Sequence, residues 1–402
     1  MSRAGEFGEL LAREEGKLLS EATGEVIRAA RIFRYFAGEA LRRHGRTLDS
    51  SRSNVEIGVH REPVGVFGLI TPWNFPIAIP AWKMAPALAF GNTVVLKPSS
   101  LTPAVAYSLA VVAVESGIPP GVLNVVFGEG EAGQALAGSS SIDGISFTGS
   151  QRAGRAVALA ACENQVRVQL EMGGKNPLVI MDDADIEAAV AIAIDGGFFQ
   201  AGQRCTASSR LIVHAAAYDA FVDRLVARTQ DLRVGGALDR SSEVGPVSSA
   251  EHRNSIIAKI EWAISQGARL VAGGTSLSLD QPGHYLSPAV LLDTNSSMQI
   301  NNEEVFGPVV SVTRVTSYEE ALAAANHGVF GLSAGIVTAS LRHAHHFRRN
   351  VRAGLVTVNL PTAGVDYHVP FGGTRASSLG PREQGFAAVE FYTQLKTVYS
   401  AA

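Results

Sequence analysis

Hydrophobic and polar positions along the chain follow two repeating patterns, one with helical spacing and one with strand spacing. Residues 5–45 carry leucine, isoleucine and phenylalanine at helical intervals among charged residues, which predicts amphipathic helices packed against another element. Residues 54–62 alternate apolar and polar side chains, which predicts a half-exposed strand. Residues 389–399 have the pattern of a second exposed strand, and we expect the two segments to pair in a small sheet.

From residue 64 to residue 171, short apolar runs alternate with helical patterns. Strands that alternate with helices indicate a doubly wound parallel sheet with helices on its faces, an architecture that binds nucleotides. Ligands of such sheets lie at the carboxyl ends of the strands, where Asn74, Lys97 and Gly149 fall. The predicted strands are 64–70, 93–96, 123–127, 145–147 and 166–170, and the predicted helices are 77–90, 102–116, 131–137 and 151–161.

A second α/β unit follows the first along the chain. It carries predicted helices 185–199, 218–228, 252–266 and 318–326 and predicted strands 210–214, 309–315 and 335–338. The sequence therefore predicts three parts, which are a cofactor lobe (residues 1–53 and 62–171), a catalytic lobe (residues 172–385) and a small β sheet (residues 54–61 and 386–402). Exposed sheet edges are usually covered, so we expect a homodimer or a homotetramer.

Composition narrows the class of partner. The chain has 402 residues with 46% hydrophobic residues and a formal net charge of −3, so it can bury a large core and has no basic field for nucleic acid or an anionic membrane. Cys162 and Cys205 are too few for a disulfide framework, and their spacing from histidine fits no metal site. We expect a small-molecule partner, a reducing compartment and no metal.

The N-terminal residues and the apolar runs bear on cellular location, and three clustered histidines bear on metal binding. The first residues lack the charged and apolar regions of a secretory signal, and no uncharged apolar run is long enough to span a bilayer. The sequence therefore predicts a cytoplasmic protein. His343, His345 and His346 favour a solvated helix face over a metal site.

A thiol and a carboxylate are the leading candidates for chemistry. Cys205 lies in Phe-Phe-Gln-Ala-Gly-Gln-Arg-Cys-Thr-Ala-Ser, and Glu171 lies in Leu-Glu-Met-Gly-Gly-Lys-Asn-Pro. A lone cysteine is more often an inert buried residue than a nucleophile. Here the neighbouring Arg204 is compatible with the electropositive setting that a thiolate needs, and Glu171 could act as a general base.

Three more runs accompany these two, at residues 69–76, 147–150 and 303–309. All five, in this order, resemble the aldehyde dehydrogenase superfamily from about Glu14 to Tyr399. The resemblance implies oxidation of an aldehyde through a thiohemiacetal and a thioester on Cys205, with water activated by Glu171. It also implies that the Asn74 side chain and the backbone N–H of Cys205 donate to the oxyanion.

The resemblance also implies NAD or NADP as the cofactor. Residues 147–154 end a strand and open a helix, so that backbone N–H groups meet the pyrophosphate. The run 128–133 matches Gly-x-Gly-x-x-Gly but lacks the acidic residue that supports a dinucleotide fingerprint, so we interpret it as a turn near the adenosine. The implied cofactor contacts are Thr71, Trp73, Lys97, Ser100, Gly130, Gly149, Ser150, Gly154, Glu304 and Phe306.

Ser100 bears on the choice of cofactor. Relatives that prefer NAD often carry a glutamate at this position, three residues after the lysine, where it repels a 2′-phosphate. A serine hydroxyl can donate to that phosphate. The sequence therefore favours NADP, with NAD also accepted.

The aldehyde mouth is expected at residues 359–373, with Phe75 and Phe371 as aromatic walls and Arg204 as a cation for a distal carboxylate. The sequence of this stretch, together with the run around Cys205, resembles the branch of the family that acts on 2-oxoglutarate semialdehyde (2,5-dioxopentanoate). Succinate semialdehyde or a simple aliphatic aldehyde is the alternative substrate. Relatives have further chain before the first helices, so we expect a short cofactor lobe with exposed apolar surface. The alternative from another functional class is a binding or structural protein without catalytic activity.

Overall fold

The structure is a computed structural model that describes residues 1–42 and 45–401. Within these residues the helices are α1 Ala4–Glu15, α2 Leu19–Glu39, α3 Ala78–Ala89, α4 Pro103–Glu115, α5 Gly130–Ala137, α6 Gln151–Glu163, α7 Ile186–Phe198, α8 Ala215–Gln230, α9 Ala250–Ser265, α10 Tyr318–Ala325, α11 Leu341–Asn350 and α12 Ala388–Tyr392. The strands are β1 Arg46–Asp49, β2 Val55–Pro63, β3 Val66–Ile70, β4 Thr93–Lys97, β5 Leu123–Val125, β6 Gly144–Thr148, β7 Arg167–Glu171, β8 Asn176–Ile180, β9 Ser208–His214, β10 Arg269–Ala272, β11 Ser276–Leu277, β12 Tyr285–Leu286, β13 Ala289–Leu292, β14 Val309–Val315, β15 Ser333–Val337, β16 Leu355–Val358, β17 Ser378–Leu379 and β18 Thr393–Ala401.

The first sheet confirms the predicted doubly wound architecture. Its strand order is β17-β7-β6-β3-β4-β5, and β3 to β7 pair in parallel. The chain starts at β3, adds β4 on one side and later adds β6 on the other, so the strand order reverses at β3. Such a reversal opens a crevice at the carboxyl ends of the strands, which is where ligands of open α/β sheets bind.

The second sheet is also largely parallel. Its strand order is β10-β13-β14-β9-β8-β15-β16, with β10 antiparallel at one edge. Helices α7, α8 and α9 cover one face and bury a core that includes Phe198, Phe221 and Ile256. The strands β8, β13 and β16 escaped the sequence patterns because each is a run of only four or five residues, and the first two adjoin or contain proline.

The small sheet pairs the two segments that the sequence selected. Strand β2 pairs antiparallel with β18, and β1 adds an unpredicted third strand. The predicted strand 389–399 is wrong in its first part, because α12 occupies residues up to Tyr392 and the strand begins at Thr393. Phe391 and Tyr392 turn inward and contact Phe67, with ring centroids 5.2 and 4.7 Å away, which favours a compact helical turn over an exposed strand.

Strand β17 links the late part of the chain to the first sheet. It pairs antiparallel with β7, so that Ser378 lies opposite Glu171 and Leu379 opposite Leu170. The predicted catalytic lobe, residues 172–385, therefore contributes an edge strand to the cofactor lobe. This crossing brings the loop around residues 371–384 to the end of β7.

None of the described helices combines the length and apolarity needed to cross a membrane. Residues 1–42 and 45–401 contain no cluster of three or more histidine, cysteine, aspartate or glutamate side chains that could hold a metal ion. An apolar groove of about 510 Å³ lies between α1, α2 and α4, lined by side chains that include Phe7, Phe33 and Leu109.

Candidate active site

Cys205 follows a strained turn at the end of α7. Gln200, Ala201 and Gly202 have φ angles of 54°, 52° and 65°, a left-handed conformation that costs a residue with a Cβ roughly 1 kcal/mol or more. At Gly202 a Cβ would lie 2.2 Å from the carbonyl oxygen of Gly307, so this position requires glycine. Beyond the turn the carbonyl of Cys205 accepts a hydrogen bond of 2.8 Å from Asn176 Nδ2. The loop is therefore fixed on both sides of the nucleophile.

Asn74 meets the Cys205 loop from the first sheet. It lies just beyond β3, is buried, and donates from Nδ2 to the carbonyl of Gln203 at 2.9 Å. The amide group carries a second N–H, which remains available to an oxyanion formed at Cys205. The structure thus brings Asn74 to the loop that carries Cys205.

Glu171 ends β7 and is held by the loop that β17 introduces. Its Oε2 accepts a hydrogen bond of 2.6 Å from Ser378 Oγ. A Cβ at Gly372 would lie 2.5 Å from Oε1, so the carboxylate packs directly on glycine backbone. Burial, followed by repulsion from the Glu383 carboxylate, raises the pKa of Glu171 well above its usual range. A carboxyl group with a raised pKa can act as a general base near neutral pH.

A buried polar network lies beside Glu171. Lys83, in the otherwise apolar helix α3, donates to the Glu383 carboxylate and to Ser146 Oγ, the latter at 2.7 Å. Ser146 Oγ also lies 3.0 Å from Gln169 Oε1. The sequence analysis missed this network, and the available signal was a single charge within an apolar helix, which is rarely buried without a partner.

The electrostatic setting of Cys205 differs from the predicted one. Burial, together with the Glu304 and Glu171 carboxylates, raises the pKa of the Cys205 thiol to about 12. The sequence made Arg204 compatible with an electropositive setting for Cys205, but its guanidinium donates to the carbonyls of Asp195 and Gly196 at the end of α7. Burial therefore disfavours the thiolate form of Cys205, and a nearby positive charge or proton acceptor would favour it.

A groove of about 860 Å³ opens at the carboxyl ends of β3, β4 and β6. At its side, Ser150 caps α6 by accepting from the N–H of Ala153 at 3.3 Å, while other N–H groups of the first turn stay free for an anion. Lys97 Nζ donates to the carbonyls of Pro98 and Gly128 at 2.9 and 2.8 Å and keeps one donor. Seven predicted cofactor residues line this groove, namely Thr71, Trp73, Lys97, Ser100, Gly130, Gly149 and Ser150.

This groove fits a dinucleotide, because phosphate donors, ribose donors and glycine backbone lie along one wall. Gly154 is an exception among the predicted contacts. A Cβ there would lie 2.5 Å from Met172 Sδ, so Gly154 lets α6 pack closely on the end of β7 and does not line the groove. Its role is packing.

Glu304 and Phe306 lie between the groove and Cys205. Glu304 Oε1 accepts from the N–H of Gly174 at 2.9 Å, and burial raises the pKa of this carboxyl to about 7. The Phe306 ring lies 5.5 Å from that of Trp73, which lines the groove. Glu304 is therefore near Cys205, and Phe306 packs on a residue that lines the groove.

Known proteins are similar to this chain over nearly its whole length. The model of the aldehyde dehydrogenase family matches residues 1–398. The chain belongs to the aldehyde dehydrogenase family. An alpha-ketoglutarate semialdehyde dehydrogenase of Haloferax volcanii is 48% identical over 99% of this chain and 83% of that protein. An alpha-ketoglutaric semialdehyde dehydrogenase of Bacillus subtilis is 43% identical over 99% of this chain and 82% of that protein.

Further relatives support the same assignment. A 2,5-dioxopentanoate dehydrogenase of Saccharolobus solfataricus is 40% identical over 98% of this chain and 83% of that protein. A crystal structure of betaine aldehyde dehydrogenase from Staphylococcus aureus in complex with NAD+ matches with a TM-score of 0.97 and 35% identity, over 100% of this chain and 80% of that chain. The protein is thus an NAD(P)-dependent aldehyde dehydrogenase by family, and the predicted fold class is confirmed.

The residues predicted to bind the aldehyde fall into two groups in this aldehyde dehydrogenase. Phe371 is buried and packs on Trp82, with ring centroids 5.4 Å apart. Phe75 lies beside Asn74, and Lys17 Nζ is 4.1 Å from the centroid of its ring. Arg204 is the exception, because its guanidinium is directed onto α7. The predicted cation for a distal carboxylate is therefore not this residue.

Proposed function

We propose that this aldehyde dehydrogenase oxidises 2-oxoglutarate semialdehyde to 2-oxoglutarate. The main support for this substrate is sequence identity. The chain is 40–48% identical, over 98–99% of its length, to three relatives whose names state this activity. The grouping of Cys205, Asn74 and Glu171 at the end of the dinucleotide groove supports the type of reaction.

Each residue has a separate role in this proposal. After the Cys205 thiol has given its proton to a base, its sulfur forms a bond to the aldehyde carbon and the C=O double bond opens to an oxyanion. The side chain of Asn74 and the backbone N–H of Cys205 donate to that oxyanion. Bound NAD(P)+ supplies the acceptor for the hydride, and a thioester remains on Cys205. Glu171 takes a proton from water, which attacks the thioester and releases the carboxylate product.

NADP+ is the proposed preferred cofactor. Ser99, Ser100 and Arg152 line the groove near Lys97, and their donors suit a 2′-phosphate, although Glu129 adds one carboxylate. We expect Ser100→Glu to lower kcat/KM for NADP+ by roughly tenfold or more through charge repulsion, with little change for NAD+. Ser100→Ala, which removes the hydroxyl without adding charge, separates lost hydrogen bonding from repulsion. An unchanged NADP+ to NAD+ ratio in Ser100→Glu would contradict this assignment.

The experiment for the function is a substrate panel with the purified 402-residue chain. NADPH and NADH formation is measured with 2-oxoglutarate semialdehyde, succinate semialdehyde, pentanal and betaine aldehyde. We expect the highest kcat/KM with the first substrate, and Cys205→Ala should abolish turnover while leaving NADP+ affinity nearly unchanged. A preference for succinate semialdehyde or pentanal would replace the proposed substrate. Absence of turnover in a folded sample would favour the non-catalytic alternative.

We further propose a cytoplasmic homodimer or homotetramer. Cys162 and Cys205 are both free thiols, which suits a reducing compartment. The outer strand β18 leaves nearly all of its residues exposed, and such an edge suits pairing with a second copy.

A further inference from the structure

Arg28 is a cation at the expected aldehyde mouth that the catalytic proposal does not use. It lies on α2 and is partly exposed. Its guanidinium donates to the carbonyl of Val365, within the stretch 359–373, and from Nη2 to Gln384 Oε1 at 3.3 Å. Its Cζ is 6.0 Å from the ring of Trp82.

These contacts connect Arg28 to the walls of the catalytic site. Trp82 packs on Phe371, whose neighbour Gly372 contacts Glu171. One turn before Arg28, Glu25 accepts from the N–H groups of Ile77 and Ala78, just beyond Asn74. A thiolate at Cys205 would also favour the charged form of Arg28, because its Coulomb interaction raises the pKa of that guanidinium. Arg28 thus shares an electrostatic environment with the nucleophile.

The Arg28 guanidinium does not use all of its hydrogen-bond donors. Among the described residues, no carboxylate lies within ion-pair distance of Arg28, and its Nε is buried without a hydrogen-bond partner. Burial lowers the pKa of this group, while the Glu25 and Asp366 carboxylates, which form no direct ion pair with it, act in the opposite direction. A partly buried guanidinium that lacks a directly bonded carboxylate is a favourable place for an anionic ligand group.

We propose that Arg28 binds the distal carboxylate of the aldehyde substrate. This assignment rests on the proposed function, since it requires an acidic semialdehyde. The planar guanidinium presents paired donors that match a carboxylate, and Trp82 and Phe371 provide apolar walls for the carbon chain between the two ends. The same positive charge disfavours a cationic substrate such as betaine aldehyde.

The test compares Arg28→Met, Arg28→Lys and the matched control Arg31→Met, which alters an exposed arginine on the same helix. For 2-oxoglutarate semialdehyde, we expect Arg28→Met to lower kcat/KM by roughly 10- to 100-fold, mainly through a higher KM. The value for pentanal should change by less than about threefold, because pentanal has no carboxylate to bind. Arg28→Lys should give an intermediate loss, and Arg31→Met should match the unaltered enzyme.

Other outcomes separate the two proposals. If the unaltered enzyme does not prefer the acidic semialdehyde over pentanal, the proposed function fails. If it does prefer it and Arg28→Met keeps that preference, only the role of Arg28 fails. Equal losses for both substrates, with NADP+ affinity retained, would indicate that Arg28 merely holds the Val365 loop and would also overturn the assignment. If Arg28→Met does not fold, Arg28→Lys decides, because a retained charge with altered geometry should still raise KM for the acidic substrate selectively.

Discussion

The acid and base groups of the site share one physical property. Burial raises the pKa of Glu171, Glu304 and Cys205, so each group favours its neutral form more than it does in water. Three acids that disfavour charge lie close together, and repulsion among their anions adds to the cost of desolvation. Proton transfer in this site is therefore sensitive to any charge that enters it.

The pH dependence of thioester hydrolysis follows from Glu171. Because the pKa of Glu171 is raised, its basic form appears only as pH increases, and the rate of hydrolysis should rise with pH through that pKa. Glu171→Gln should retain a single burst of NADPH but lower steady-state kcat by roughly 100- to 10,000-fold and remove this pH-dependent limb. Rapid-mixing kinetics at several pH values measure both phases.

A matched control for this experiment is Glu163→Gln, which alters an exposed carboxylate at the end of α6. It should keep the burst, the steady-state rate and the pH profile of the unaltered enzyme. Loss of the burst itself in Glu171→Gln would assign Glu171 to the first step as well. An unchanged pH profile would remove it as the base.

Among individual residues, the sequence predicted those that stand within family motifs. Cys205, Glu171 and Asn74 stand in runs that identify the family, and the structure groups them. Arg204 was misjudged because adjacency in sequence does not give the direction of a side chain. Arg28 was missed because it lies on an amphipathic helix far away along the chain, where nothing local distinguishes it from a solvated arginine.

The start of α3 and the segment before α2 are both bonded near Asn74. Lys17 Nζ forms a buried ion pair of 2.5 Å with Glu25 and donates to the carbonyl of Asn74 at 2.7 Å. Glu25 in turn accepts from N–H groups at the start of α3. This buried pair fixes the backbone on both sides of Asn74 and so acts as a positioning device for its amide.

The double variant Lys17→Met/Glu25→Gln tests this role by removing both charges of the pair. It also takes the Lys17 cation away from the buried Glu15 carboxyl, whose pKa burial raises to about 7. We expect kcat to fall by roughly tenfold or more, less than the 100- to 1,000-fold loss that follows removal of an oxyanion donor, with NADP+ affinity retained. In an Asn74→Ala background the same double variant should cause little further loss, because the two changes act through one group. Additive losses in kcat would show that the ion pair acts elsewhere.

Element prediction from the sequence succeeded where periodicity was long. Helix α6 agrees with the predicted helix 151–161 within two residues. The helical pattern of residues 5–45 contains α1 and α2 but extends beyond the end of α2 at Glu39. Short buried strands were missed because four or five apolar residues fit a strand and a helix equally well. The start of the C-terminal strand was misplaced because the inward packing of Phe391 and Tyr392 is decided by Phe67, which is distant in sequence.

Strand β18 of the small sheet exposes large apolar side chains. Leu395 and Tyr399 on β18 are 61% and 59% exposed, and they project from alternating positions of the same strand face. We expect sedimentation velocity to detect a dimer or tetramer, and Leu395→Asp/Tyr399→Asp should raise its dissociation constant by roughly tenfold or more.

The control is Leu341→Asp, which alters a leucine that is 87% exposed on α11, away from the small sheet. This variant should sediment as the unaltered protein does. A monomer at all concentrations, or an assembly that the β18 substitutions leave intact, would contradict the role assigned to this sheet.

Strand β17 has a consequence for the biosynthesis of the protein. Ser378, which holds the Glu171 carboxylate, is translated long after residues 1–171 have left the ribosome. A nascent chain that has completed the first five parallel strands still has an open edge at β7 and an unanchored general base. The Glu171 carboxylate can therefore gain its hydrogen bond from Ser378 only when nearly the whole chain has been translated.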